Sequence, residues 1–234
     1  MSEWRYLRSW SEAELAERLR ALDALERNFD TDETEMLPGH GWHGYASEAL
    51  LTQEKRGLPV EDGFFERGWL AMLSFKFSDP AIVVAHFDPD VPLLGRRMLL
   101  EVKVLGLRYL NGTVVSAVRT DRTDTCTTYG FRYDTLDGHI EAGTEWFLLT
   151  KDHGSGDIRF TIRAKWRAGE FPNWWSRLGF HVLGRHYQRR WHVHAHHRLL
   201  ALMREPKAAL RLRRGRLAHE GPDVAFTYEP GIRP

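Results

Sequence analysis

The chain has 234 residues, 42% of them hydrophobic, which suffices for one large core, and its single cysteine excludes an internal disulfide. Lys+Arg 33 against Asp+Glu 32 leave a formal net charge of +1, which argues against a dedicated nucleic-acid binder. No apolar run reaches the ~18 residues needed to span a bilayer, and "MSEWRYLRSW" has no signal-peptide core, so a soluble, cytoplasmic protein is expected.

Ser11 followed by Glu14 is a capping-box pattern, and Leu15, Leu19, Leu22 and Leu25 recur at helical spacing, predicting a first helix from Ser11 to Arg27. The acidic, then glycine-rich stretch "NFDTDETEMLPGHGWHGY" has no sustained period and is expected to be a long surface loop. Phe65, Trp69, Met72 and Leu73 mark a second helix. From Ala81 the period changes to two. Met98, Leu100, Val102 and Val104 share one face, and Asn111-Gly112 is expected to be a type I′ hairpin turn, a reading that outweighs the glycosylation sequon Asn111-Gly112-Thr113. Cys126 falls in a Thr-rich strand pattern and is expected to be a small buried residue. "DIRFTIRAKW" alternates cleanly, with Ile158, Phe160, Ile162, Ala164 and Trp166 on one side and Arg159, Thr161, Arg163 and Lys165 on the other, which predicts antiparallel strands with one wet face.

After Pro172 no proline occurs until Pro206, and Trp175, Leu178, Val182, Leu183, Tyr187, Trp191, Ala195, Leu199 and Leu202 form an apolar stripe. A helix of ~30 residues, on the order of 45 Å long, is predicted there. Two N-terminal helices, about six antiparallel strands and this helix make an α+β domain in which the sheet curls around the last helix. Residues 1–206 are expected to form one domain, and 207–234 a basic, partly irregular tail.

Charge is unevenly distributed: residues 1–62 hold 7 basic and 14 acidic side chains, residues 159–216 hold 15 and 2. The basic set Arg185, Arg189, Arg190, Arg198, Arg204, Lys207, Arg211, Arg213, Arg214 and Arg216 could attract nucleic acid or an anionic membrane surface, but is expected rather to meet the acidic N-terminal half, within the chain or across a homodimer. The histidines of "RRWHVHAHHR" fall as His192/His196 and His194/His197 on opposite flanks of the apolar stripe. They cannot converge on one ion within a helix, so a solvated, partly stacked flank is expected and no metal or cofactor is called for.

The stretch "YDTLDGHIEAGTEWF" resembles the core motif of the Domain of Unknown Function nineteen-ninety family. Tyr133, Thr135, Leu136, Gly138, His139, Gly143, Glu145 and Phe147 match it, as do, less specifically, Gly95-Arg96, Arg167 and Gln188. Asp134 stands where the family has glycine, Thr144 where it has a first glutamate, and Trp166-Arg167-Ala168 where it has Ser-Arg-Pro. The resemblance implies a helix-grip fold, like that of START-related and birch-pollen-allergen-like proteins, with a cavity between a curved sheet and the long C-terminal helix that holds a small apolar or amphipathic molecule. A pocket lined by Tyr129, Phe131, Tyr133, Phe160, Ile162, Trp166, Tyr187, Gln188 and Trp191 is expected. The competing expectation is a cavity enzyme with His139 as acid–base and Glu145 as its orienting partner. The structural reading is favoured over it: Asp137-Gly138 as a two-residue turn that sets Leu136 opposite His139, with Gly143 bending the returning strand, or Asp134 to Thr144 as one loop.

Overall fold

The computed structural model describes residues 3–171 and 173–210, with 174–185 entering through the backbone alone. Its elements are β1 (Glu3–Tyr6), α1 (Glu12–Ala21), β2 (His43–Gln53), α2 (Phe64–Leu73), β3 (Val83–His86), β4 (Arg97–Val104), β5 (Leu107–Arg122), β6 (Cys126–Thr135), β7 (Glu141–Asp152), β8 (Asp157–Ala168), α3 (Trp174–Met203) and α4 (Lys207–Leu210). All the strands join one antiparallel sheet in the order β2-β8-β7-β6-β5-β4-β3, with β1 filling the part of β5 that β6 leaves unpaired. Among the described residues, no helix is long and apolar enough to cross a membrane.

Helix α1 starts as the sequence predicts. Ser11 Oγ accepts the Glu14 N–H while Glu14 accepts the Ser11 N–H, so two of the free donors of the first turn are satisfied reciprocally. The regular helix ends at Ala21 and a 3-10 turn carries the chain through Ala24, short of Arg27.

The long C-terminal helix and α2 cover one face of the sheet, referred to below as the inner face. The large core lies there: Met72, Phe75, Phe77, Phe131, Phe147, Leu149, Phe160, Ile162, Trp191, Leu199 and Met203 are all buried. Strand β8 places Ile158, Phe160, Ile162, Ala164 and Trp166 on this side, as its alternation predicts. Leu210 of α4 also belongs to this core, so the packed unit extends beyond residue 206. The tail 211–234, with Arg211, Arg213, Arg214 and Arg216, lies outside the described residues, as do the side chains of Trp175, Leu178, Val182, Leu183 and Arg185.

The opposite face is not the wet face that the alternation implies. Trp10, Leu15, Leu19 and Leu22 of the α1 segment pack over Leu99, Leu110 and Leu136. The segment expected to be a surface loop lies on the same face: Phe29, Met36 and Trp42 are buried against Ala142, and Arg132 and Trp146 bond to Glu33. Its last residues begin β2, which the sequence did not reveal. The inner side chains of β2, Tyr45, Ser47 and Ala49, alternate too weakly in polarity to mark a strand.

Asn111-Gly112 is not a turn. Both residues lie in mid-strand in β5, and the β4–β5 turn is made by Leu105 and Gly106, at φ 49° and 82°. The local preference is overridden because glycine is needed for close approach: a Cβ on Gly112 would stand 2.7 Å from Leu22 Cδ2. Asn111 is buried, with its Oδ1 accepting the Ile140 N–H at 3.4 Å, so the sequon is closed to modification. Cys126, half-buried, opens β6 with its Sγ 3.5 Å from Thr123 Oγ1.

Candidate functional site

Strand pairing sets the geometry. Tyr133 on β6 pairs with Glu145 on β7, Glu145 with Ala164 on β8, and Ala164 with Tyr45 on β2, making one rung across four strands. The next rung runs Phe131, Phe147, Ile162, Ser47. Glu145 shares its face with Phe147 and Leu149, so the carboxylate points into the inner side of the sheet. The small Ala164 leaves height above the first rung, and α3 lowers His192 into it.

Tyr133 Oη donates to Glu145 Oε2. Glu145 Oε1 lies 3.3 Å from Nε2 of the fully buried His192, an ion-pair contact, and this Nε2 makes no hydrogen bond among the described residues. On the other side of the ring, Nδ1 is 2.7 Å from Ser47 Oγ, and Ser47 Oγ is 2.8 Å from His196 Nε2. His192 and His196 are four residues apart and so share one flank of α3. The Tyr45 ring lies tilted against His192 at 4.8 Å, and the Phe160 ring meets His196 edge-on at 5.3 Å. This overturns the expectation of a solvated histidine flank for these two. His194 turns away from them to pair with Asp79.

Electrostatics set the protonation of the two ends of the chain. Burial, then the Glu145 charge, hold the Tyr133 phenol well above its ordinary range, so it stays a donor. Burial, then the neighbouring His192, lower His196 to about 4, leaving it neutral. The carboxylate that shares the inner face with Glu145 is Glu141, pushed up to about 8 by burial and by the Glu145 charge. Thr144, at the place of the family's first glutamate, points to the opposite face. Asp134, at the place of a glycine, is fully buried with Arg132 Nε at 3.1 Å and Arg27 at 3.4 Å, so its charge is compensated.

His139 is not joined to Glu145 by any hydrogen bond among the described residues. It ends the Asp137-Gly138 turn, with Gly138 at φ 78° and the His139 N–H donating to Leu136 O at 3.0 Å. Its Nδ1 accepts the Glu141 N–H at 2.9 Å, and burial lowers its pKa to about 3. A ring committed to a backbone donor and held neutral serves the turn. The histidine that faces Glu145 is His192.

Of the expected pocket residues, Tyr129 is wedged under α2 by Phe65 and Trp69, at 5.2 and 5.7 Å. Phe131, Phe160, Ile162 and Trp191 belong to a packed centre into which the chain after α2 inserts Phe75 and Phe77. Phe77 lies 5.0, 5.5 and 6.3 Å from the rings of Phe147, Phe160 and Trp191. Phe75 adopts φ 54°, a left-handed conformation costly for a side chain this large and supported by its burial. Tyr133 borders the packed centre, its ring 5.5 Å from Phe147, whereas Trp166 lies further along β8 and meets His43 at 5.8 Å; Tyr187 and Gln188 are half-buried on α3. Arg167 is outside, over the Trp42 ring at 4.8 Å.

The long helix closing a twisted antiparallel sheet is the helix-grip arrangement, and the motif around Gly138, Gly143 and Glu145 builds its inner polar end. The family described as "Domain of unknown function (DUF1990)" matches residues 28–198. The chain belongs to this family. The DUF1990 match thus spans the turn of His139, the polar chain from Tyr133 to His196, and the strand β2 that carries Ser47. No curated protein matches the sequence. Solved structures similar to this chain include Ara h 8.0201, at 13% identity over 69% of this chain and 99% of that one, with a TM-score of 0.39. Ginseng major latex-like protein 151 from Panax ginseng is 9% identical over 70% and 99% of the two chains, with a TM-score of 0.42. The hypothetical protein jhp0584 from Helicobacter pylori is 14% identical over 76% and 98%, with a TM-score of 0.44.

Proposed function

We propose that the protein binds a small amphipathic molecule between the sheet and α3, with its polar group at Tyr133, Glu145 and His192 and its apolar body along Trp166, Tyr45 and Tyr187. One observation carries this reading: two hydrogen-bonded polar groups, Tyr133–Glu145 and His192–Ser47–His196, meet across 3.3 Å on the inner face where the packed aromatic centre ends. Polar groups of this kind are costly to bury and orient a ligand in a site that is otherwise apolar. The residues of the packed centre act as its floor.

The basic C-terminal face has a different role in this reading. Lys207 bonds Asp62 and Glu66 of the acidic N-terminal half, and Arg198 donates to Lys76 O at 2.6 Å, so these cations serve the fold. Native mass spectrometry of freshly purified protein tests the binding. A co-purifying molecule of fixed mass, retained by wild type and lost on Glu145→Gln or Tyr133→Phe, is expected; a ligand-free spectrum, with no apolar fluorophore displaced by lipid or terpene extracts, refutes it.

A further inference from the structure

The polar chain has a direction. Tyr133 donates to one oxygen of Glu145, and the other oxygen lies 3.3 Å from His192 Nε2, an ion-pair contact without hydrogen-bond alignment that favours a proton on that nitrogen. A ring with its proton on Nε2 offers the Nδ1 lone pair to Ser47 Oγ, 2.7 Å away, and Ser47 donates to it. His196 must in turn donate through Nε2 to Ser47 Oγ, which leaves its Nδ1 as the bare acceptor. That atom is buried and makes no hydrogen bond among the described residues, nor does His192 Nε2. The serine therefore directs its proton at an imidazole whose far nitrogen faces a carboxylate, with the Tyr45 ring against the imidazole.

We propose that Ser47 is a nucleophile for acyl transfer, with His192 as its base and Glu145 and Tyr133 as positioning residues, and that the amphipathic molecule is an ester with an apolar acyl chain. The proposal rests on the binding reading above and assigns the substrate class of that site. Nucleophile, base and carboxylate are recognised by role and contact distance, and here the ring presents Nδ1 to the serine. Ser47 is half-buried on the edge strand β2, so an ester can approach from the rim of the sheet while His192 stays dry.

In the first step Ser47 Oγ bonds to the acyl carbon and its proton passes to His192 Nδ1. The imidazolium so formed keeps its Nε2–H toward Glu145. The carbon–oxygen bond to the alcohol then breaks, and the alcohol leaves with the proton from Nδ1. Water adds to the acyl-serine by the same proton route, releasing the carboxylic acid and restoring Ser47. His196 Nε2, 2.8 Å from Oγ, stands beside the reacting centre and can donate to the developing oxyanion.

The experiment is incubation of the full-length wild-type protein with an alkyl fluorophosphonate, followed by peptide mapping, alongside hydrolysis of p-nitrophenyl butyrate. Expected are a mass adduct on the peptide containing Ser47 and hydrolysis that falls at least 100-fold in Ser47→Ala and His192→Gln, with Ser155→Ala unchanged. Glu145→Gln should slow labelling and shift its pH profile, which a purely structural contact would not do. A folded wild type that gains no adduct on Ser47 and hydrolyses the ester no faster than Ser47→Ala overturns the proposal, and Ser47 is then a clamp fastening β2 to α3. If ligand retention in the native mass spectrum persists in that case, the binding reading stands without the chemistry; if labelling succeeds on protein that retains no ligand, the reverse holds.

Discussion

Truncation of Phe147 to alanine tests whether the middle of the inner face is a packed core. Its side chain is fully buried, and its ring lies 5.0 Å from Phe77, 5.1 Å from Phe131, 5.5 Å from Tyr133, 5.9 Å from Phe75 and 6.1 Å from Trp191. These separations fall in the favourable range for tilted and edge-on aromatic pairs. Removing roughly 150 Å² of buried apolar surface at ~25 cal/mol per Å² costs about 4 kcal/mol, within the range of about 3–5 kcal/mol measured for such truncations. For a chain of this size that corresponds to a fall in melting temperature on the order of 10 °C. Denaturant unfolding should show a lower midpoint at an unchanged slope, while Arg163→Ala, exposed on the other face of β8, leaves the midpoint nearly in place. A loss below about 1.5 kcal/mol for Phe147→Ala would refute the reasoning. It would mean that these rings line an open space, and Phe131, Phe160 and Trp191 would return as ligand contacts.

A Cβ added at Gly143 would stand 2.1 Å from Lys165 O and 2.8 Å from Trp166 Cα, both backbone atoms of β8, so Gly143→Ala should lose well over 1 kcal/mol in the same unfolding assay or fail to accumulate as folded protein. Trp42→Ala empties the contact between Phe29, Met36, Ala142 and the sheet and should cost about 3 kcal/mol, with faster hydrogen exchange confined to residues 28–42 and the outer face of β7 and β8. Stability should depend on pH from two sides. Glu141, raised from 4.5 to about 8, favours the fold fully below 4.5 and loses that contribution as pH rises through about 8, whereas His139 and His196, lowered from 6.5 to about 3 and about 4, lose theirs as pH falls below 6.5. Above 6.5 only the carboxyl of these three acts, so Glu141→Gln should flatten a decline between pH 6.5 and 8 whose limit is about 1.4 kcal/mol per pH unit; an unchanged slope in chemical denaturation would show that this carboxyl is solvated.

The sequence by itself determined what depends on neighbours along the chain. The capping box at Ser11 and Glu14, the alternation of β8, the turn at Gly138 and the 30-residue reach of α3 are each written in residue type and spacing over a few positions, where local hydrogen bonds and side-chain periodicity decide. The inner placement of Glu145 was half legible: its phase with Phe147 was fixed by the period of two, but which face met the helix was not. Tertiary structure decided the rest. Asn111-Gly112 loses its turn because Leu22 covers Gly112, the acidic segment before β2 is drawn onto the sheet by Trp42 and Glu33, and β2 itself is a strand only because β8 supplies its hydrogen bonds. The same holds for the site. His139 stands six residues from Glu145 and looks like its partner, yet the turn consumes its ring nitrogen. His192 and Ser47, 145 positions apart in the chain, meet at 2.7 Å because a helix laid across an edge strand brings together groups that no spacing along the sequence relates.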